Sequence, residues 1–164
     1  YVGSPCSLDI NETGRRRFLI LDTNNLSITP KIVDTDFLYF NESIVVLPIE
    51  DEVGYIKTRI DEMVKRWKID DSQTTKVRIR VKFRGYSSNP RLFKQTIEKS
   101  LAKYTFYENE GPDISEVSSF DDPERIEIVN QVNEKINGMD WESGEDKPAK
   151  DDILIEALHT ILKE

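Results

Sequence analysis

The sequence predicts an α+β fold: a small sheet with two packed helices, preceded by a β-hairpin and followed by a helical hairpin. Three observations carry this. KVRIRVKFRGY (76–86) alternates Val77, Ile79, Val81 and Phe83 with Arg78, Arg80, Lys82 and Arg84, the period-two pattern of a half-buried strand. Stretches before and after it, from Val53 to Trp67 and over 87–103, repeat apolar residues at three- and four-residue steps, the period of a helix. The balance of charge then changes sign near residue 107. Residues 1–107 hold 18 Lys and Arg against 14 Asp and Glu, whereas 108–164 hold 5 against 17. A basic front and an acidic tail predict two kinds of partner.

Taken in order, RFLILD (17–22) is an apolar run between turn signals and predicts a strand. Asn24-Asn25 predicts a hairpin turn, because Asn tolerates a left-handed backbone. LSITPKIVD (26–34) is the return strand, placed at an edge or bulge because Pro30 has no N–H to donate. FLYF (37–40) and SIVVLPI (43–49) follow. Val53, Ile56, Ile60, Met63, Val64 and Trp67 form one helical face. Asp51 and Glu52 at its start and Lys65, Arg66 and Lys68 at its end suit the helix dipole.

After the cationic strand, Asn89 reads as an N-cap and Pro90 as the first helical residue, with Leu92, Phe93, Thr96, Ile97 and Leu101 inward. YTFY (104–107) reads as a short closing strand. Residues 108–121 are acidic and rich in turn formers, and read as a linker. Asp122, Pro123 and Gly138 bracket a helix with Ile126, Val129, Val132 and Ile136 at helical spacing. MDWESGEDKPAK is a loop. A last helix carries Ile153, Leu154, Ala157, Leu158, Ile161 and Leu162 on one broad face.

The chain of 164 residues fits one domain or two small ones. No stretch approaches the ~20 apolar residues of a membrane span. Cys6 is the one cysteine, so no internal disulfide forms, and a reducing, cytoplasmic compartment is expected. His159 is the one histidine. Hydrolytic metal sites draw on several His, Asp and Asn ligands, and a Ser-His-Asp arrangement would need His159 as its base. It lies between Leu158 and Thr160 on a short amphipathic helix, as an ordinary helix-face histidine does. No phosphate-cradling glycine loop is present. No catalytic residue and no metal ligand is therefore assigned.

Between Lys76 and Lys103 stand nine basic residues and one acid, Glu98. A row of Arg78, Arg80, Lys82 and Arg84, with Arg91 and Lys94 next, would neutralise nucleic-acid phosphates without reading bases. The same row could simply be a solvated strand face whose charges guard against edge pairing. The tail helices leave a similar choice: they pack on the front unit, or they dock on a partner's helices. The acidic linker favours docking, through Ile153, Leu154, Leu158, Ile161 and Leu162 with Ile126 and Val129 in support.

Several segments together resemble the SbcD-type nucleases, a metallophosphoesterase family of DNA repair and recombination, and within it the T4-type phage members. Tyr1-Val2-Gly3-Ser4-Pro5, a polar turn and RFLILD resemble the end of the phosphoesterase domain. VRIRV (77–81) after a helix resembles the family's cap, and the linker and terminal helices resemble its ATPase-binding tail. The resemblance implies that 1–34 are terminal strands of a phosphoesterase sandwich and 35–107 a DNA-binding cap. It further makes 108–121 a linker and 122–164 helices that bind an SbcC-type coiled-coil ATPase. It implies a parent that is a manganese-dependent nuclease acting on double-stranded DNA ends, a homodimer without membrane association, in a bacterial or phage-infected cell. The Asp-x-His, Asn-His-Asp and Gly-His-x-His motifs that would hold the metal are missing here, so Tyr1 reads as a cut edge with those ligands expected upstream. Ser4 is then expected near the DNA backbone, with a hydroxyl bonded to its own turn as the alternative. The alternative to the whole resemblance is a free-standing, non-catalytic adaptor that binds nucleic acid or protein.

Overall fold

The computed structural model describes residues 4–141 and 148–162. Tyr1-Val2-Gly3 of the expected corner and the centre of the 139–150 loop lie outside the described residues. The chain is mixed α+β: strands β1 (Arg17–Asp22), β2 (Ser27–Ile32), β3 (Leu38–Val46), β4 (Val77–Ser87), β5 (Thr105–Phe106) and β6 (Asp113–Ser119), and helices α1 (Glu52–Trp67), α2 (Pro90–Leu101), α3 (Pro123–Asn137) and α4 (Lys150–Leu162). β1 and β2 form a separate antiparallel ribbon. In the main sheet β4 is central and parallel to β3 on one side and to β5 and β6 on the other.

Alternation along β3 and β4 builds two cores, one on each face of this sheet. Leu38, Phe40, Ile44 and Val46 of β3 and Val77, Ile79, Val81 and Phe83 of β4 face α1 and α2, meeting Ile56, Ile60, Met63, Phe93, Ile97 and Leu101. Trp67 stacks on Phe40 at 4.4 Å between ring centroids and meets Tyr104 edge-on at 5.2 Å. The intervening residue Val45, with Leu47, faces the other way, into a second core with Val129, Ile136, Leu154, Ile155, Leu158 and Leu162 of α3 and α4. Each such burial stabilises by about 1.5–3 kcal/mol, so the helical hairpin is part of the folded body. Tyr55 of α1 packs against both cores, and its hydroxyl donates to the Val45 carbonyl at 3.3 Å.

Asn89 and Asp122 cap their helices as the sequence implies, and Asp51, expected only to suit the dipole of α1, is its N-cap as well. Asp51 accepts from the Gly54 N–H at 2.9 Å, Asn89 from Leu92, and Asp122 from Glu124 and Arg125. Glu52 departs from expectation. It does not serve the helix dipole from the surface but turns inward, 7% exposed, and accepts from the Ser87 hydroxyl at 2.5 Å and from the Ser88 N–H and hydroxyl at 3.0 Å. It thereby ties the start of α1 to the end of β4. Gly85 in β4 has φ +125°, and a Cβ there would lie 2.3 Å from the Val46 carbonyl oxygen. Only glycine fits this approach of β4 to β3.

Three expectations change. Residues 37–49 supply one strand, because the polar Asn41-Glu42-Ser43 centre continues the ladder to β4. The expected linker contains β6. Its register against β4 advances from Asp113 opposite Lys82 to Glu116 opposite Arg84, one extra residue on β6. This bulge turns both Ile114 and Val117 toward the first core although they are three apart, which hides the strand from a period-two reading. Asp113 holds the bulge by accepting from the Ser115 N–H and hydroxyl, bonds that lower its pKa. In the ribbon, the positive φ falls on Leu26 rather than on Asn24 or Asn25, whose neighbours Asp22 and Asn25 cap the turn through side-chain bonds.

Candidate nucleic-acid and partner surfaces

The four cations of β4 do stand in a row on the face away from α1 and α2. The acidic tail meets them there. Arg80 makes two bonds of 3.1 Å to Glu110, Lys82 pairs with Glu116, and Arg84 reaches Asp152 of α4 at 3.1 Å and Ser43 at 3.1 Å. The hydrogen bonds that Arg80 donates to Glu110 raise its pKa further. Arg78 is the exception: it donates to the Thr75 and Val77 carbonyls and lies over the Phe37 ring at 4.6 Å. Arg80 likewise covers Tyr107 at 5.1 Å. The basic front and acidic tail thus engage each other in this chain. Partly exposed ion pairs contribute only about 0–1 kcal/mol each, so the apolar second core, not this pairing, holds the hairpin down.

Arg91 and Lys94 lie exposed on α2, in the layer on the opposite side of the sheet. The structure does not bring them into one surface with the β4 row. Ser4 donates to the Cys6 carbonyl at 2.6 Å, the local turn bond that was its alternative reading. Of the predicted partner-binding residues, Val129, Leu154, Leu158 and Leu162 are buried against the chain's own sheet, while Ile126, Ile153 and Ile161 are half-buried at the hairpin's rim. The sequence pattern marks an apolar face without saying which neighbour covers it, and here the sheet does. His159 is exposed, its ring edge-on to Tyr86 at 6.2 Å.

The ribbon is the opposite case. Phe18, Leu19, Ile20 and Leu21 of β1 and Ile28 and Ile32 of β2 are each 42–65% exposed, although successive residues point to opposite faces. Leu19, Leu21, Ile28, Pro30 and Ile32 share one face, Phe18 and Ile20 share the other with Thr29 and Lys31, and among the described residues neither face is covered.

A further surface was not legible as a motif. Gly14 donates to the Tyr39 carbonyl at 2.9 Å, and Arg15 donates to the Lys68 carbonyl at 2.6 Å and to Gln73 Oε1 at 2.7 Å. These bonds fasten the start of the ribbon beside the C-terminus of α1. Between them opens a cleft of about 550 Å³ lined by Arg15, Arg17, Arg66 and Lys68, with Glu42 and Trp67. The signal in sequence was the GRRR run at 14–17, but its neighbours come from 50 residues away. Among the described residues, no group of three or more His, Cys, Asp or Glu is placed to hold a metal ion, and no helix is long and apolar enough to cross a membrane. No family model, no curated protein and no solved structure matches this chain.

Proposed function

We propose that the chain is the C-terminal DNA-capping and ATPase-binding region of an SbcD-like nuclease that processes DNA ends. The observation that carries this reading is the uncovered ribbon. A two-stranded ribbon is marginal alone, and one with apolar residues on both faces fits the interior of a larger β-layer, such as the end of a phosphoesterase sandwich. The parallel β3–α1–β4–α2 unit is consistent with the cap, and the hairpin's half-buried rim with a helical partner. The manganese ligands and the hydrolysis of DNA then belong to the layer that the ribbon would complete, and no residue of this chain is given a catalytic role.

The test is the coding sequence upstream of Tyr1 and the nuclease activity of the protein that includes it. Asp-x-His and Gly-His-x-His motifs there, with manganese-dependent cleavage of duplex ends, are expected; an initiator Met at Tyr1 would sink the reading. Partner docking is tested at the rim, because a charge at Leu158, 1% exposed, would disrupt the second core instead. Ile126→Asp with Ile153→Asp is expected to lose co-purification with the ATPase while keeping the helical content.

One observation favours the adaptor as a second reading: among the described residues, the two cores and the three ion pairs of β4 draw only on the stretch from β3 to α4. Release of that stretch from the ribbon by limited proteolysis, with full duplex-binding affinity retained and no activity gained on restoring upstream sequence, would select it.

A further inference from the structure

We infer that the cleft between the ribbon and α1 is a binding site for a phosphodiester backbone, and that it, rather than the β4 row, is the main phosphate contact of this chain. The inference rests on the reading that the chain engages nucleic acid. Its ground is the difference in charge compensation between the two cationic surfaces. Along β4, three of the four cations are matched by carboxylates of the same chain: Glu110, Glu116 and Asp152. A phosphate arriving there must displace an anion already in place.

In the cleft, four cations face one lining acid. That acid, Glu42, is engaged: it accepts from Trp67 Nε1 at 2.7 Å and from Arg66 at 3.2 Å. Arg15 pairs with the exposed Asp70 at 3.6 Å, and its buried Nε has no hydrogen-bond partner among the described residues. Arg17 and Lys68 have no ion pair among the described residues. The carbonyl end of α1 would repel an anion, but Arg15 already donates to the Lys68 carbonyl there. The surplus of positive charge is therefore local and open. The cavity, about 550 Å³, is much larger than one phosphate group needs, and it opens to solvent, which suits a polymer backbone better than a single ion. Arginine's fork and lysine's point charge are the usual phosphate donors, and four of them lining one cleft predict binding that is strong at low salt and weakens steeply as salt rises.

The experiment measures binding of a labelled short duplex by the whole chain at several salt concentrations. Arg17→Gln with Lys68→Asn removes two charges that hold no other bond, and Asn suits the left-handed backbone at residue 68, where φ is 51°. Arg78→Gln with Arg91→Gln removes two charges elsewhere and serves as the charge-matched control. The cleft variant is expected to bind about tenfold more weakly at low salt, with a salt slope shallower by about two, while the control changes little. Equal binding by the cleft variant and the wild type, with loss confined to the control, would overturn this inference and leave the proposed function standing. Loss of equal size in both variants would also overturn it, since only net charge would then matter. No duplex binding by the wild type at low salt would overturn both. Complete displacement of the duplex by micromolar pyrophosphate would assign the cleft to a small phosphate ligand instead.

Discussion

Strands β1 and β4 are both read at once from the sequence, yet they end in opposite situations. β4 places Val77, Ile79, Val81 and Phe83 in a core with no exposure, and its outward cations are held by Glu110, Glu116 and Asp152. β1 places Phe18 through Leu21 in water at 42–55% exposure. The difference lies in sequence neighbours. Each edge of β4 is fed by a strand reached through a helix, so helices arrive with the strands and cover the apolar face. β1 has only β2, joined by a tight loop, and a two-stranded ribbon brings no covering layer with it. An apolar strand is thus a demand for a cover, and the chain meets that demand only where its own topology supplies one.

Substitution at Gly85 should strike the covered region hardest. Gly85→Ala forces a Cβ against the Val46 carbonyl at a φ that L-residues avoid, and is expected to destabilise by about 4 kcal/mol or to prevent folding. Thermal unfolding followed by circular dichroism checks it, and a near-normal melting temperature would refute the tight β3–β4 approach. Next comes Glu52→Ala, which leaves the buried Ser87 hydroxyl and the Ser88 N–H without their acceptor and should cost about 2 kcal/mol. Urea unfolding reads this directly.

Tyr55 sharpens the comparison from the side of pH. Burial pushes its pKa from 10.0 up to about 12, against the smaller opposing effect of Arg59. A raised tyrosine pKa means that the folded chain favours the neutral form. Its contribution is therefore complete below pH 10.0 and is lost as pH rises toward about 12. Tyr55→Phe should flatten the fall in stability over that window, and an unchanged alkaline profile would show that Tyr55 is not the group concerned. The smallest effect on folding belongs to the ribbon. Phe18→Ser with Ile20→Ser is expected to change the unfolding free energy by no more than about 0.5 kcal/mol, while reducing any concentration-dependent association seen by light scattering. A large loss of stability would mean that the ribbon is covered after all.

The legibility of the chain follows the same division. The helix caps at Asn89 and Asp122 and the alternation of β4 were readable because each depends on residues a few positions apart. β6 was not, because a bulge between Asp113 and Glu116 sets Ile114 and Val117 three apart on one face. The inward turn of Glu52 was not, because its partners Ser87 and Ser88 lie 35 and 36 residues away. For the candidate sites, the sequence marked Arg78, Arg80, Lys82 and Arg84 as a row, and the structure keeps them in one. It could not show the carboxylates that meet them, nor that Arg91 and Lys94 stand in another layer.

By itself, then, the sequence determined the local quantities: the four α-helices and the strands β1, β2 and β4, where helices start, which faces are apolar, and that the front is basic and the tail acidic. These rest on propensity, periodicity and charge, which act between near neighbours. Only the tertiary structure decided what meets those faces. It folded the acidic tail onto the cationic strand, buried Leu154 and Leu158 under the sheet, left both faces of β1–β2 open, and drew Arg15 and Arg17 beside Arg66 and Lys68. The reason is physical: burial and charge pairing depend on distance in space, and a face of the right chemistry is satisfied equally well by any cover that the chain path can bring to it.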